Sequence, residues 1–168
     1  PSLASGESEE TGLTILDGVK YTIIVNVESM NPNDTLVLIK YSNEAQIIFE
    51  GNMTQSGKTD AKRIINSLKP ENQTNIYKGI ETALNHHKAK PTPNQLKYIF
   101  VLTDGEENIP PPRGTENSIK KWWHDNPTIR CPICTFGFGY RLNSRQLNEI
   151  ATFSYDVDIY TGSFTFIP

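Results

Sequence analysis

The stretch QLKYIFVLTDGE (residues 95–106) decides the fold of this chain. Its middle, Tyr98–Leu102, is an unbroken apolar run, and the polarity changes abruptly at Thr103. A short apolar run that ends in a turn signal predicts a strand buried on both faces of a parallel sheet. Open parallel sheets bind their ligands beyond the carboxyl ends of such strands. Asp104 follows at that end, and Gly105 allows a sharp turn. We therefore expect Asp104 to be either a cation ligand or a partner for a buried polar group.

Length and charge set the class of protein. The 168 residues suffice for one domain that buries most of its apolar surface. The net charge is −3 and the two signs are interspersed, so no basic stripe predicts binding to nucleic acid. The apolar runs have the length of strands, which predicts no membrane insertion. Residues 1–10 are small and polar, typical of a disordered segment or linker, and residues 11–168 form the predicted domain.

The two cysteines, Cys131 and Cys134, form a C-x-x-C pattern. A structural zinc site needs four ligands, and the sequence contains no second pair of cysteines. Both cysteines lie in a predicted buried strand, where cysteine behaves as a small apolar residue. We therefore predict structural free thiols, which favour a cytoplasmic location.

The remaining elements alternate between helices and strands. Helical spacing of apolar residues predicts a helix over Thr11–Met30, although Tyr21–Val25 has a composition typical of strands. The further predictions are a hairpin of Thr35–Tyr41 and Ala45–Glu50, helices over Lys58–Leu68 and Asn75–His87, a helix capped by Thr115 and ending at His124, a strand over Ile129–Phe138, a helix capped by Ser144 and ending at Ala151, and a strand over Ser163–Ile167. This order predicts an α/β three-layer sandwich, whose sheet is mostly parallel with one antiparallel edge strand.

Two patterns raise the possibility of an enzyme. Gly51–Thr59 is similar to a phosphate-binding loop, and Asp104 would then hold Mg²⁺. Five residues separate Gly51 from Gly57 where the motif has four, and the preceding strand belongs to a hairpin. A nucleotide hydrolase stays as an alternative. The three histidines, His86, His87 and His124, lie near no serine in an elbow-like turn. We therefore predict no catalytic residues and a non-catalytic protein.

A cation site is the third candidate. Thr74 precedes a predicted helix, and Asp104 ends the predicted central strand. A hydroxyl and a carboxylate at one edge of a sheet suit Mg²⁺, which binds few protein oxygens and keeps several waters. Each residue also has a structural interpretation, because Thr74 could cap its helix and Asp104 could cap the turn after its strand.

Three motifs follow one another along the chain: QTNIYKGI (residues 73–80), VLTDG (residues 101–105) and TFGFG (residues 135–139), the last followed by Leu147-x-x-Ile150-Ala151. Their order resembles a von Willebrand factor type A domain. The resemblance runs from about Leu13 to Pro168. It implies that Thr74 and Asp104 belong to a metal-ion-dependent adhesion site (MIDAS). There Mg²⁺ keeps one position open for an acidic side chain of a partner protein. It also implies a role in protein–protein recognition.

One family motif, D-x-S-x-S at the end of the first strand, has no match in the sequence. The nearest string, Val25–Met30, lies too close to the next strand for the crossover that parallel strands require. We therefore interpret Leu13–Met30 as the family's first helix, and expect the first strand upstream of Pro1. The domain would then be truncated at both ends, with a gap between the strands that carry Val37 and Phe100. A metal-independent scaffold remains the second alternative.

Overall fold

The computed structural model describes residues 14–71, 73–92, 95–129, 131–153 and 162–168. Helices and strands alternate as predicted, which confirms the α/β class. The elements are α1 Ile15–Ser29, β1 Thr35–Tyr41, β2 Ala45–Asn52, α2 Gln55–Ser67, α3 Ile76–Ala89, β3 Ile99–Thr103, α4 Thr115–Asp125, β4 Ile133–Phe138, α5 Ser144–Phe153 and β5 Phe164–Ile167. The predicted disordered segment, residues 1–10, lies outside the described residues. None of the helices in the described ranges is long and apolar enough to cross a membrane.

The strands of the described residues are hydrogen-bonded as one pair and one group of three. β1 pairs antiparallel with β2, and β3, β4 and β5 form a parallel sheet in that order. Among the described residues, no strand is hydrogen-bonded between β1 and β3. This is the position at which the sequence predicts a gap, between the strands that carry Val37 and Phe100, and for the whole chain the gap stays a prediction.

Tyr41 connects the two sheets across this gap. It is the last residue of β1, and its hydroxyl donates a hydrogen bond to the carbonyl oxygen of Leu102 in β3, at 2.8 Å. Helix α3 packs against both strands. Because Tyr41 and Leu102 both lie near the ends of their strands, the carboxyl ends of β1 and β3 are neighbours. Loops that follow the two strands therefore meet at one edge of the fold.

Two apolar cores hold the elements together. The larger core packs α3, α4 and α5 against one face of the parallel sheet, and its fully buried residues include Ile80, Ile119 and Ile150. The smaller core packs α1 and α2 against the hairpin around Val27 and Ile65. The apolar stripe of α1 therefore serves the smaller core, and this tertiary packing overrides the strand-like composition of its middle.

β3 is buried on one face only. Ile99 and Val101 are 6% and 5% exposed, whereas Phe100 between them is 57% exposed. The rings of Tyr98 and Phe136 flank Phe100 at centroid distances of 6.1 and 6.0 Å. The prediction of burial on both faces is wrong for the described structure, because the core helices cover the side of Ile99 and leave the aromatic row open.

Several predicted boundaries also need correction. Thr115 is the first residue of α4 and not its cap, because Gly114 occupies the cap position with φ of 78°. The first turn of α5 is capped by Asn143, whose Oδ1 accepts from the backbone N–H of Gln146 at 3.0 Å, and not by Ser144. β4 begins at Ile133 and not at Ile129, since the preceding Pro132 has no N–H to donate to a neighbouring strand. Both cysteines are free and buried, as predicted.

Candidate binding site at the carboxyl ends of the strands

Thr74 lies in the connection between α2 and α3 and is fixed there by its backbone. Its N–H donates to Oδ1 of Asn108 at 2.9 Å, and its carbonyl oxygen accepts from the backbone N–H groups of Asn108 and Ile109 at 3.1 and 3.3 Å. These bonds fasten the Asp104 loop (residues 104–109) to Thr74. The hydroxyl of Thr74 takes no part in them.

The next residue, Asn75, precedes α3 and joins a third segment to the same edge. Its Oδ1 accepts from the backbone N–H of Lys78 at 3.0 Å, which caps the helix. Its backbone N–H donates to the carbonyl oxygen of Ser42, the residue after β1, at 2.8 Å. Asn75, and not Thr74, is therefore the cap of α3, which excludes one structural interpretation of Thr74.

Asp104 is half-buried directly after β3. The preceding Thr103 is buried, and its hydroxyl donates to the carbonyl oxygen of Gly105 at 3.1 Å, which shapes the turn. A Cβ added at Gly105 would meet nothing within 4 Å, and Gly105 is not among the glycines with positive φ. The backbone at Gly105 therefore has room for a side chain and does not adopt the left-handed conformation that favours glycine.

The phenol of Tyr41 lies within electrostatic reach of this loop. Burial raises the pKa of Tyr41, and the negative charges of Asp104 and Glu107 raise it further, while a hydrogen bond with Thr103 opposes the rise. The phenol therefore stays protonated and neutral well beyond the ordinary range of tyrosine.

The oxygen donors at this edge are of the kind that a hard cation binds. Thr74 offers a hydroxyl and Asp104 a carboxylate, and Mg²⁺ requires near-octahedral coordination by oxygen. Within the described ranges, no three His, Cys, Asp or Glu side chains are grouped so as to hold a metal. The structure brings the segments of Thr74 and Asp104 to one edge.

Glu107 is the residue of this edge that the sequence interpretation missed. Its carboxylate accepts hydrogen bonds from the backbone N–H of Tyr77, from the hydroxyl of Thr115 and from the amide of Gln146, at 3.3, 2.6 and 2.8 Å. The available signal was an acidic residue in the loop after a parallel strand, where the helices that follow such strands begin.

The other sequence candidates serve structural roles here. β2 ends at Asn52 and α2 begins at Gln55, so Gly57 lies in the first helical turn, where its N–H donates to the hydroxyl of Thr54 at 3.3 Å. No loop remains between strand and Lys58 that could surround a phosphate.

The histidines lie away from this edge. His86 and His87 belong to the last turn of α3, at the end opposite Thr74. Nε2 of His86 lies 3.2 Å from the carboxylate of Glu50, which Lys90 also contacts at 2.6 Å. Burial lowers the pKa of His87 to about 4, so that its imidazole is neutral at pH 7. His124 is exposed beside Asp125.

Comparison with known proteins agrees with this geometry. The family model of the von Willebrand factor type A domain matches residues 4–107. The chain belongs to this family. The uncharacterized protein sll0103 of Synechocystis sp. is 28% identical over 136 residues, which cover 81% of this chain and 31% of that protein. The chain thus spans about a third of that relative.

Solved structures of the same fold also match. The von Willebrand factor type A protein from Catenulispora acidiphila gives a TM-score of 0.76 at 14% identity, over 91% of this chain and 34% of that chain. Proximal thread matrix protein 1 from the mussel byssus, with a zinc-occupied MIDAS motif, gives 0.66 at 19% identity, over 91% and 39%. At these identities the likeness concerns the fold alone. Von Willebrand factor type A domains generally mediate protein–protein interactions.

Proposed function

We propose that this von Willebrand factor type A domain is a non-catalytic protein-binding module, whose binding surface is the edge that carries Thr74 and Asp104. The supporting observation is the set of hydrogen bonds between the backbone of Thr74 and the Asp104 loop. They fasten the backbone of the connection that carries the Thr74 hydroxyl to the loop that carries the Asp104 carboxylate. A preorganised edge binds a partner without the entropic cost of ordering loops.

The finer proposal is that Mg²⁺ joins this edge to an acidic side chain of the partner. A divalent ion that is held by few protein charges stays electrophilic and accepts a further carboxylate. The additional ligands would follow a strand placed between β1 and β3. Both strands have an unpaired edge toward the gap among the described residues, and their carboxyl ends are neighbours. A parallel strand inserted there would end beside Thr74 and Asp104.

Calorimetric titration of Mg²⁺ tests the metal proposal, and the sample is the longest natural polypeptide that contains this chain. We expect Asp104→Ala and Thr74→Ala each to weaken Mg²⁺ binding by about tenfold or more, as loss of a metal-site partner does. The matched controls are Asp60→Ala and Thr59→Ala on the exposed side of α2, which should bind Mg²⁺ like the wild type. Equal affinities in all five proteins would refute the metal site at Thr74 and Asp104.

A metal-independent scaffold is the second candidate, in which the hydrogen bonds between Thr74 and the Asp104 loop hold the same edge in shape for a partner without an ion. It predicts no heat of Mg²⁺ binding in the wild type. It also predicts that proteins captured from a cell extract by the wild type stay bound in EDTA and are lost with Asp104→Ala. Release of those proteins by EDTA from the wild type would contradict the scaffold.

A further inference from the structure

Three helices begin around one carboxylate. Glu107 accepts from the backbone N–H of Tyr77, the second residue of α3, and from the hydroxyl of Thr115, the first residue of α4. It also accepts from the side-chain amide of Gln146, the third residue of α5. The residue pairs are 30, 8 and 39 positions apart in sequence, so the contact exists only in the folded chain.

The amino-terminal ends of helices attract a negative charge. Their first N–H groups have no partner within the helix, and the aligned peptide dipoles place a partial positive charge there. Thr115 is fully buried, so its hydroxyl requires a partner inside the protein. The carboxylate of Glu107 supplies that partner and satisfies one of the free N–H groups of α3 at the same time. The loop is therefore attached to three helices through a single side chain.

The attachment affects the candidate site because Glu107 lies between Asp104 and Asn108 in the chain. Asp104 lies three residues before it, and Asn108, whose backbone and side chain bind Thr74, follows it directly. Glu106 is exposed and serves as the natural comparison, since it is the same residue type in the same loop.

We infer that Glu107 is the positioning residue of the Asp104 loop, fixing Asp104 relative to Thr74 through the first turns of α3, α4 and α5. The inference rests on the proposed function only in calling this edge a binding site; the attachment itself can be measured without metal or partner. The inference also ties α5 to the site, because Gln146 shares one carboxylate oxygen with Thr115.

Amide hydrogen exchange of Glu107→Gln, measured by NMR on the chain without added metal, tests the attachment. Glutamine keeps the length of the side chain but replaces one acceptor oxygen with a donor. We expect exchange at the amides of Thr74, Asn108 and Ile109 to accelerate by about tenfold or more, as loss of hydrogen bonds to a charged group opens a loop locally. Amides in the middle of α2 should keep their rates, and Glu106→Gln should change none of them.

If Glu107 only stabilised the whole fold, the pattern of exchange rates would be different. If Glu107→Gln accelerates exchange equally in α2 and in the loop, or leaves the loop unchanged, the positioning role is refuted. Gln146→Ala provides a second variant in case Glu107→Gln does not fold, since it removes one of the three donors and keeps the carboxylate. It should accelerate the same three amides by a smaller factor, and acceleration confined to α5 would also refute the inference.

Titration of Mg²⁺ into the same variants separates this inference from the proposed function. If the wild type binds Mg²⁺, Glu107→Gln should weaken binding and Glu106→Gln should not. Equal Mg²⁺ affinity in these two variants would refute the positioning role. If the wild type binds no Mg²⁺, the metal proposal fails, and the exchange rates alone decide the role of Glu107.

Discussion

Replacing Tyr41 by phenylalanine tests the connection between the two sheets. The substitution keeps the ring, which packs so closely on α3 that a Cβ added at Gly79 would lie 3.0 Å from it. It removes the hydroxyl that donates to the carbonyl oxygen of Leu102. A neutral hydrogen bond contributes about 1 kcal/mol to the free energy of unfolding. At pH 7 we therefore expect Tyr41→Phe to be less stable than the wild type by about 1 kcal/mol.

The same hydroxyl makes this difference depend on pH. Burial raises the pKa of Tyr41 in the folded state, while the unfolded chain keeps the ordinary value of about 10. Between these two values the folded state keeps a proton that the unfolded state has released, so stability falls as the pH rises above 10. At pH 11 this group has lost about 1.4 kcal/mol of stability, since one pH unit corresponds to that free energy. The variant has no phenol at this position and is spared the loss.

Urea denaturation of both proteins at pH 7, 9, 10 and 11 measures the effect. The free energy of unfolding of the wild type minus that of Tyr41→Phe should fall from about 1 kcal/mol at pH 7 to about −0.4 kcal/mol at pH 11. Other titrating groups, such as Tyr77 with a pKa raised to about 12, are common to both proteins and cancel. Tyr21→Phe is the control, because Tyr21 is 71% exposed and should show no difference at any pH. A difference for Tyr41→Phe that stays constant within about 0.3 kcal/mol from pH 7 to 11 would show that the hydroxyl is not buried.

Three further predictions concern packing, backbone and thiol chemistry. Ile80→Ala, at a site 1% exposed, should lower the free energy of unfolding in urea by about 2–5 kcal/mol, whereas Leu96→Ala, at 64% exposure, should change it by less than about 0.5 kcal/mol; similar losses would contradict the assigned core. Gly139→Ala should destabilise by about 1–2 kcal/mol because φ is 76° there, and Gly18→Ala, in α1 with open space around it, should stabilise by about 0.5–1 kcal/mol; the opposite order of melting temperatures would refute the backbone assignment. Burial raises the pKa of Cys131 to about 12, so peptide mapping at pH 8 should find its alkylation slower than in urea by on the order of a hundredfold; equal rates would mean an accessible thiol.

The spacing of apolar residues predicted most helices and strands, because the apolar face of each element is the face that packs against a core. α1 is a helix despite the strand-like run Tyr21–Val25, since its apolar stripe reaches the smaller core, where Val27 is 1% exposed. Thr14 and Asp17 also close a capping box at its start. The hairpin was equally predictable, because both of its strands and the polar turn between them are local features.

The exposure of Phe100 could not be predicted from β3 itself. Five apolar residues in a row indicate burial on both faces, but burial also requires a layer on each side. A layer over Phe100 would have to come from other parts of the chain, and the sequence of β3 carries no information about them. The predictions of the helix caps at Thr115 and Ser144 were wrong for a related reason. Gly114 stands beside Thr115 and Asn143 beside Ser144, and the sequence offers two plausible caps at each start.

The residues of the candidate site also differ in whether local sequence could predict them. Thr74 and Asp104 could be proposed from the sequence because each belongs to a short motif, and the order of the motifs is specific. Glu107 was missed because its donors come from three separate helices. The predicted topology could nevertheless have indicated a role for Glu107. Helices that follow parallel strands begin at the carboxyl edge of the sheet, and their amino-terminal ends favour a negative charge. An acidic residue in the loop after β3 can be stabilised by those helix starts, as Glu107 is, three residues after Asp104.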